Sequence, residues 1–223
     1  MVQTIPPTVL LTRPRAASER LAAQISAQVV ISPLMEVIWR SVPVLGEAPD
    51  AVVFTSQNGV EGFVRNADWR GVAYCVGDRT AQAAQAAGFQ AVSAGGDLSD
   101  LKAMLAARAK GARLIHARGL HVAGDLGDIA SPLITYEQRP LALSLEARKV
   151  LSGMNKVVVP LFSPRSAALF VQEFSRIGHA PLVVVAISKS VAKACSDAGL
   201  EVAFVASSPD GAAMINAIET ACA

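Results

Sequence analysis

Two stretches place hydroxyls and an amide where an apolar run ends and a helical pattern begins. In VVFTSQNGVEGF (52–63) the polar residues are Thr55, Ser56 and Asn58; in VVVPLFSPRSAALF (157–170) they are Ser163 and Arg165. Other apolar runs end the same way, in Arg13, in Thr80 of VGDRT, in Arg118 of LIHARG, and in Ser188 and Ser190 of AISKS. Helix N-termini carry unpaired N–H groups and a partial positive charge, so hydroxyls, amides and arginines gathered there suit anions. In open parallel sheets, ligands bind beyond the carboxyl ends of the strands. Each hydroxyl is also a natural helix cap, so the case for binding rests on the set, repeated in matching corners of both halves. Tyr136, in LITYEQRP between the halves, is one of only two tyrosines. Its ring reads either as packing or as a carrier aiming its hydroxyl into a cleft.

The elements that hold these residues alternate. Apolar runs at 8–12, 28–31, 51–54, 72–76, 90–93, 113–117, 156–161, 182–187 and 202–205 read as strands. Helical patterns cover 15–27, 57–66, 80–87, 98–109, 122–130, 144–153, 164–177, 190–198 and 210–221. This alternation predicts an α/β fold with parallel sheets and helices on both faces. The chain also reads as written twice. VGDRTAQAAQAAGFQAV (76–92) aligns without a gap on ISKSVAKACSDAGLEVA (187–203), with Gly88 on Gly199 where a helix stop wants positive φ. Ser56 falls on Ser163, VLLTRPR (9–15) echoes RLIHARG (113–119), and ISPLMEV (31–37) echoes ASPLITY (130–136). A period of about 100 residues marks a duplicated domain rather than a repeat array.

The 223 residues, 52% hydrophobic and 17% charged, make a packed core easily. A net charge of +2 is too mild for a nucleic-acid footprint. Three widely spaced cysteines fit reduced thiols rather than a disulfide framework. The N-terminus lacks a signal-peptide pattern. The apolar uncharged run at 177–188 is far shorter than the roughly 18 apolar residues a membrane span needs. The expectation is a cytoplasmic protein with no membrane or nucleic-acid partner. The phosphate-binding glycine loops and the GxSxG elbow are missing. None of His116, His121, His179 and the cysteines has metal-ligand spacing. His116 falls inside a strand and reads as a core or edge residue, and Cys75 as a small buried one.

The ordered set LLTRPR, VVFTSQNGVEGF, CVGDRTAQAAQAAGF, LIHARG, TYE, FSPRSAALF and AISKSVAKACSDAGL resembles the uroporphyrinogen-III synthase family over nearly the whole chain. The resemblance implies two three-layer α/β domains, one of them discontinuous, joined by a two-stranded linker. Here that places 1–33 with 141–223 in the first domain, 37–135 in the second, and 34–36 with 136–140 in the linker. It implies cyclisation of hydroxymethylbilane, a polycarboxylate, to uroporphyrinogen III without cofactor or metal. Water leaves the terminal hydroxymethyl group to give an azafulvene. The last pyrrole then attacks through its substituted carbon and is reinserted inverted. Tyr136 matches the tyrosine that assists departure of the hydroxyl. The expected substrate contacts are Arg13, Thr55, Ser56, Asn58, Thr80, Ser163, Ser188 and Ser190, with Arg118 and Arg165 on carboxylates. Ser188-Lys189-Ser190-Val191 departs from the family's glycine and paired threonines, which questions a close backbone approach there. The chain can bury its own core, so a monomer is expected. A non-catalytic bilobal protein binding an anionic small molecule is the alternative, and a nucleotide-dependent transferase is disfavoured by the missing phosphate loops.

Overall fold

A computed structural model describes residues 6–42, 46–122 and 124–223. Residues 1–5, which open the first expected domain, residues 43–45, and Ala123 of the expected helix 122–130 lie outside the description. The chain divides into two compact units. The described residues up to Glu36 join Pro140–Ala223 in one, and Val37–Arg139 forms the other.

The first unit contains β1 (Thr8–Leu11), α1 (Arg15–Ala22), β2 (Gln28–Ile31), α5 (Leu145–Leu151), β9 (Val157–Leu161), α6 (Pro164–Ile177), β10 (Leu182–Ala186), α7 (Lys189–Asp197), β11 (Phe204–Val205) and α8 (Gly211–Cys222). Its five strands form one parallel sheet in the order β11-β10-β9-β1-β2. The strands are continuously apolar because both faces are covered. Side chains alternate between two cores: Leu10, Val157 and Val159 pack with Phe170 and Val191 on one face, while Val9, Leu11 and Val158 pack with Met214 and Ile218 on the other.

The second unit contains β4 (Ala51–Phe54), α2 (Gln57–Val64), β5 (Val72–Cys75), α3 (Asp78–Ala86), β6 (Gln90–Ser93), α4 (Leu98–Arg108), β7 (Leu114–Gly119) and nearly all of β8 (Ser131–Pro140). Strands β6-β5-β4-β7-β8 are parallel neighbours in that order, and β3 (Met35–Trp39) lies beside β8 at the edge. Val52 and Phe54 face a core with Phe63 and Phe89 from the α2 and α3 layer; Ala51 and Val53 face Leu101 and Leu105 of α4. The observed architecture is mixed α/β with parallel sheets, as the alternation predicts.

Boundaries follow local chemistry. Gly88 (φ 94°) and Gly199 (φ 80°) take the positive φ expected after α3 and α7. The expected helix 122–130 does not form: the described part is an irregular turn, with a single 3-10 turn at Gly127–Ile129. Gly124 and Gly127 weaken a helix there, and Gly127 itself takes φ 57°. The helix expected over 15–27 stops at Ala22, and Ser26 N–H donates to Glu219 of α8 instead of continuing it. Among the described residues, no helix is long and apolar enough to cross a membrane.

Candidate active site

Beyond the carboxyl ends of β4 and β5 in the second unit lies a cavity of about 370 Å³. Thr55, Ser56, Asn58 and Tyr136 line it, together with Val76, Leu98, Val122, His121 and Gln138. Four of the six site residues expected on this unit therefore meet in one place. The size and the mix of apolar wall with a few polar groups suit a small-molecule site.

Each polar group is fixed by the fold. Ser56 is the N-cap of α2, and its Oγ accepts from Gly59 N–H at 3.0 Å. The same oxygen lies 3.0 Å from the Tyr136 hydroxyl. That meeting requires α2 to approach β7 and β8 closely. A Cβ on Gly62 would stand 2.3 Å from Thr135 Oγ1, and one on Gly59 would stand 2.5 Å from the Ala117 carbonyl oxygen. Tyr136 is aimed by a register shift: Arg118 pairs with Ile134 but Gly119 pairs with Tyr136, so β8 carries one extra residue, Thr135. The phenol ring then crosses over Gly119, with Trp39 edge-on at 6.1 Å between ring centroids.

Gly119 is the condition for that pose. A Cβ there would stand 2.9 Å from two ring carbons and 3.1 Å from the Tyr136 hydroxyl oxygen. Gly119→Ala is expected to push the ring aside, part it from Ser56 and slow turnover at least about 10-fold. Steady-state rates and a melting curve check this; an unchanged rate in a folded variant contradicts it.

The other candidates are placed differently. Thr80 is buried in the first turn of α3. Arg118 is mostly covered: it donates to the Gly119 carbonyl at 3.1 Å and lies 3.9 Å from Asp125. The Asp125 carboxyl is held below its ordinary value, first by the Gly127 N–H and also by Arg118. On the first unit, Arg13 stacks on Phe162 at 4.3 Å. Ser163 and Ser166 form a reciprocal capping box that spans Pro164 and Arg165 in the first turn of α6. Ser188 caps α7 and pairs with the Ser190 hydroxyl at 2.9 Å. Ser163 and Ser188 act as helix caps, as their spacing allows, and Ser190 sits in the first turn of α7.

Sequence reasoning left out His121 and Gln138 as pocket residues. It placed His116 in a strand but not its contact, since Thr55 Oγ1 lies 3.0 Å from His116 Nε2. Burial first, then the Arg118 charge, pull the His116 pKa down to about 4. Cys75 is fully buried, and burial pushes its thiol up to about 12, so it is no nucleophile at neutral pH.

The fold and cavity define a two-unit α/β protein with a hydroxyl-lined cavity at a sheet's carboxyl edge. A family model described as uroporphyrinogen-III synthase HemD matches residues 16–216, and the chain belongs to that family. It is similar to the solved uroporphyrinogen-III synthetase from Helicobacter pylori, with 15% identity, coverage of 97% of this chain and 99% of that one, and a TM-score of 0.70. It is also similar to a mutant uroporphyrinogen III synthase from Thermus thermophilus, with 14% identity, coverage of 96% and 98%, and a TM-score of 0.57. At these identities the two structures bear on the fold alone. No curated protein sequence matches the chain.

Proposed function

We propose that this chain cyclises hydroxymethylbilane to uroporphyrinogen III, with loss of water and inversion of the last pyrrole ring. The observation that carries the reading is the Tyr136 hydroxyl, held 3.0 Å from Ser56 Oγ in the cavity of a chain that belongs to the synthase family. Ser56 Oγ already accepts one N–H and keeps its own proton and a second lone pair. It supports Tyr136 as the phenol donates toward the departing hydroxyl. The azafulvene left behind is reactive, so the remaining task is to hold one conformation while the substituted carbon of the last ring attacks. Ring opening and reclosure then give the inverted macrocycle.

Thr55 and Asn58 are assigned to the substrate in this unit, with His121 and Gln138 added from the cavity lining. Val76, Leu98 and Val122 suit the flat face of a pyrrole. Thr80 and Arg118 are assigned as supporting contacts. Arg13, Ser163, Arg165, Ser188 and Ser190 are assigned as carboxylate contacts on the first unit. The two units are proposed as copies of one ancestral domain: β6-β5-β4-β7-β8 and β11-β10-β9-β1-β2 follow the same order as the echoes in the sequence. The chain passes between units inside β3 and at the end of β8, which supports residues 34–36 and 136–140 as the linker. A monomer acting in the cytoplasm without cofactor or metal completes the reading, and the three free cysteines support a reducing compartment.

The test supplies freshly generated hydroxymethylbilane and follows its consumption. Catalytic amounts of the protein are expected to consume it well above the spontaneous rate. Consumption at the spontaneous rate by folded protein contradicts the reading.

A further inference from the structure

His116 is the one fully buried histidine among the described residues of the second unit, and its ring meets the lining residue Thr55. Its Nε2 lies 3.0 Å from Thr55 Oγ1, and its Nδ1 has no hydrogen-bond partner. The contact is built by register: β4 and β7 pair Val53 with His116, so Thr55, two residues on, comes off the sheet on the same face. Burial and the nearby Arg118 charge keep the ring neutral at ordinary pH.

A neutral imidazole carries one N–H, and where it sits decides what Thr55 shows the ligand. With the proton on Nδ1, a buried donor goes unmet and Nε2 takes the Thr55 proton. The threonine then presents only lone pairs to the cavity, which repel a carboxylate. With the proton on Nε2, the ring donates to Thr55 Oγ1 and only an acceptor is left unmet. Orphaned buried N–H groups are the rarer fault in folded proteins. The Thr55 proton cannot then point at the ring.

We propose that His116 is a positioning residue: its Nε2–H donates to Thr55 Oγ1 and turns the threonine's own proton into the cavity, making Thr55 a fixed donor to a carboxylate oxygen of the substrate. The ligand class rests on the proposed function; the tautomer does not.

Two measurements on the full chain test this. In ¹⁵N-histidine-labelled protein at neutral pH, long-range proton–nitrogen correlations are expected to show the His116 ring protonated on Nε2 only, with the signal assigned by its loss in His116→Gln. A ring protonated on Nδ1 overturns the proposal. In kinetics, His116→Gln keeps an N–H near the Nε2 position and is expected to hold KM for hydroxymethylbilane within about twofold. His116→Leu removes the donor at similar bulk and is expected to raise KM about 10-fold, with kcat less affected. Adding His116→Leu to Thr55→Val is expected to cost nothing further, because His116 acts only through the Thr55 hydroxyl. A folded His116→Leu with wild-type KM, or losses that add, overturns the proposal. Should His116→Leu fail to fold, the tautomer and His116→Gln decide. Wild-type protein that forms no type III product sinks the functional reading and leaves the tautomer result to stand or fall alone.

Discussion

Tyr136→Phe is expected to slow formation of the type III product about 100-fold, the lower end of what a positioned proton donor contributes. The substitution removes one oxygen and leaves the packing. The ring keeps its place over Gly119 and its edge contact with Trp39, both of which involve ring carbons. Ser56 loses one partner and keeps the Gly59 N–H, so the fold is expected to lose no more than about 1 kcal/mol. Spontaneous closure of the unassisted substrate competes with the slowed enzyme, so the residual product shifts toward type I. Initial rates, product analysis and a melting curve together make the check. A folded variant within twofold of wild-type turnover removes Tyr136 from the chemistry.

Acid is expected to destabilise the protein through His116. The unfolded chain takes up a proton near the ordinary histidine value of 6.5, whereas the buried ring resists protonation down to about 4. Between those values the unfolded state binds more protons, so stability is full above about pH 6.5 and declines as pH falls toward 4. The window corresponds to about 3 kcal/mol. The charged groups acting on the ring are Arg118 and Asp125. The Asp125 carboxyl is itself depressed, so its contribution is present above its unfolded value near 3.8 and is lost only below it, under the histidine window. Urea unfolding at pH 7, 5.5 and 4.5 checks this. Wild type is expected to lose stability across the series and His116→Leu to lose markedly less; parallel losses contradict the account.

The sequence shows the elements more clearly than their meetings. Strand–helix alternation and continuously apolar runs place most elements to within a residue or two, because buried parallel strands admit little else. Ser56, Ser163 and Ser188 are legible as helix caps from local spacing, as are the glycine stops at 88 and 199. Residues 122–130 look helical by composition, and the glycines override that. The Tyr136 pose is not legible, because it depends on an extra residue in one strand and on a bare Gly119 in its neighbour. Neither leaves a periodic signature. The His116–Thr55 contact needs the β4–β7 register, a pairing of segments some sixty residues apart that local pattern does not encode.

Inverting cyclisation leaves its signature in the isomer of the product. Hydroxymethylbilane is generated in situ with the protein present, the products are oxidised, and the type I and type III uroporphyrins are separated by chromatography. Predominantly type III product is expected. Type I alone, formed at the spontaneous rate by protein shown to be folded, would contradict it.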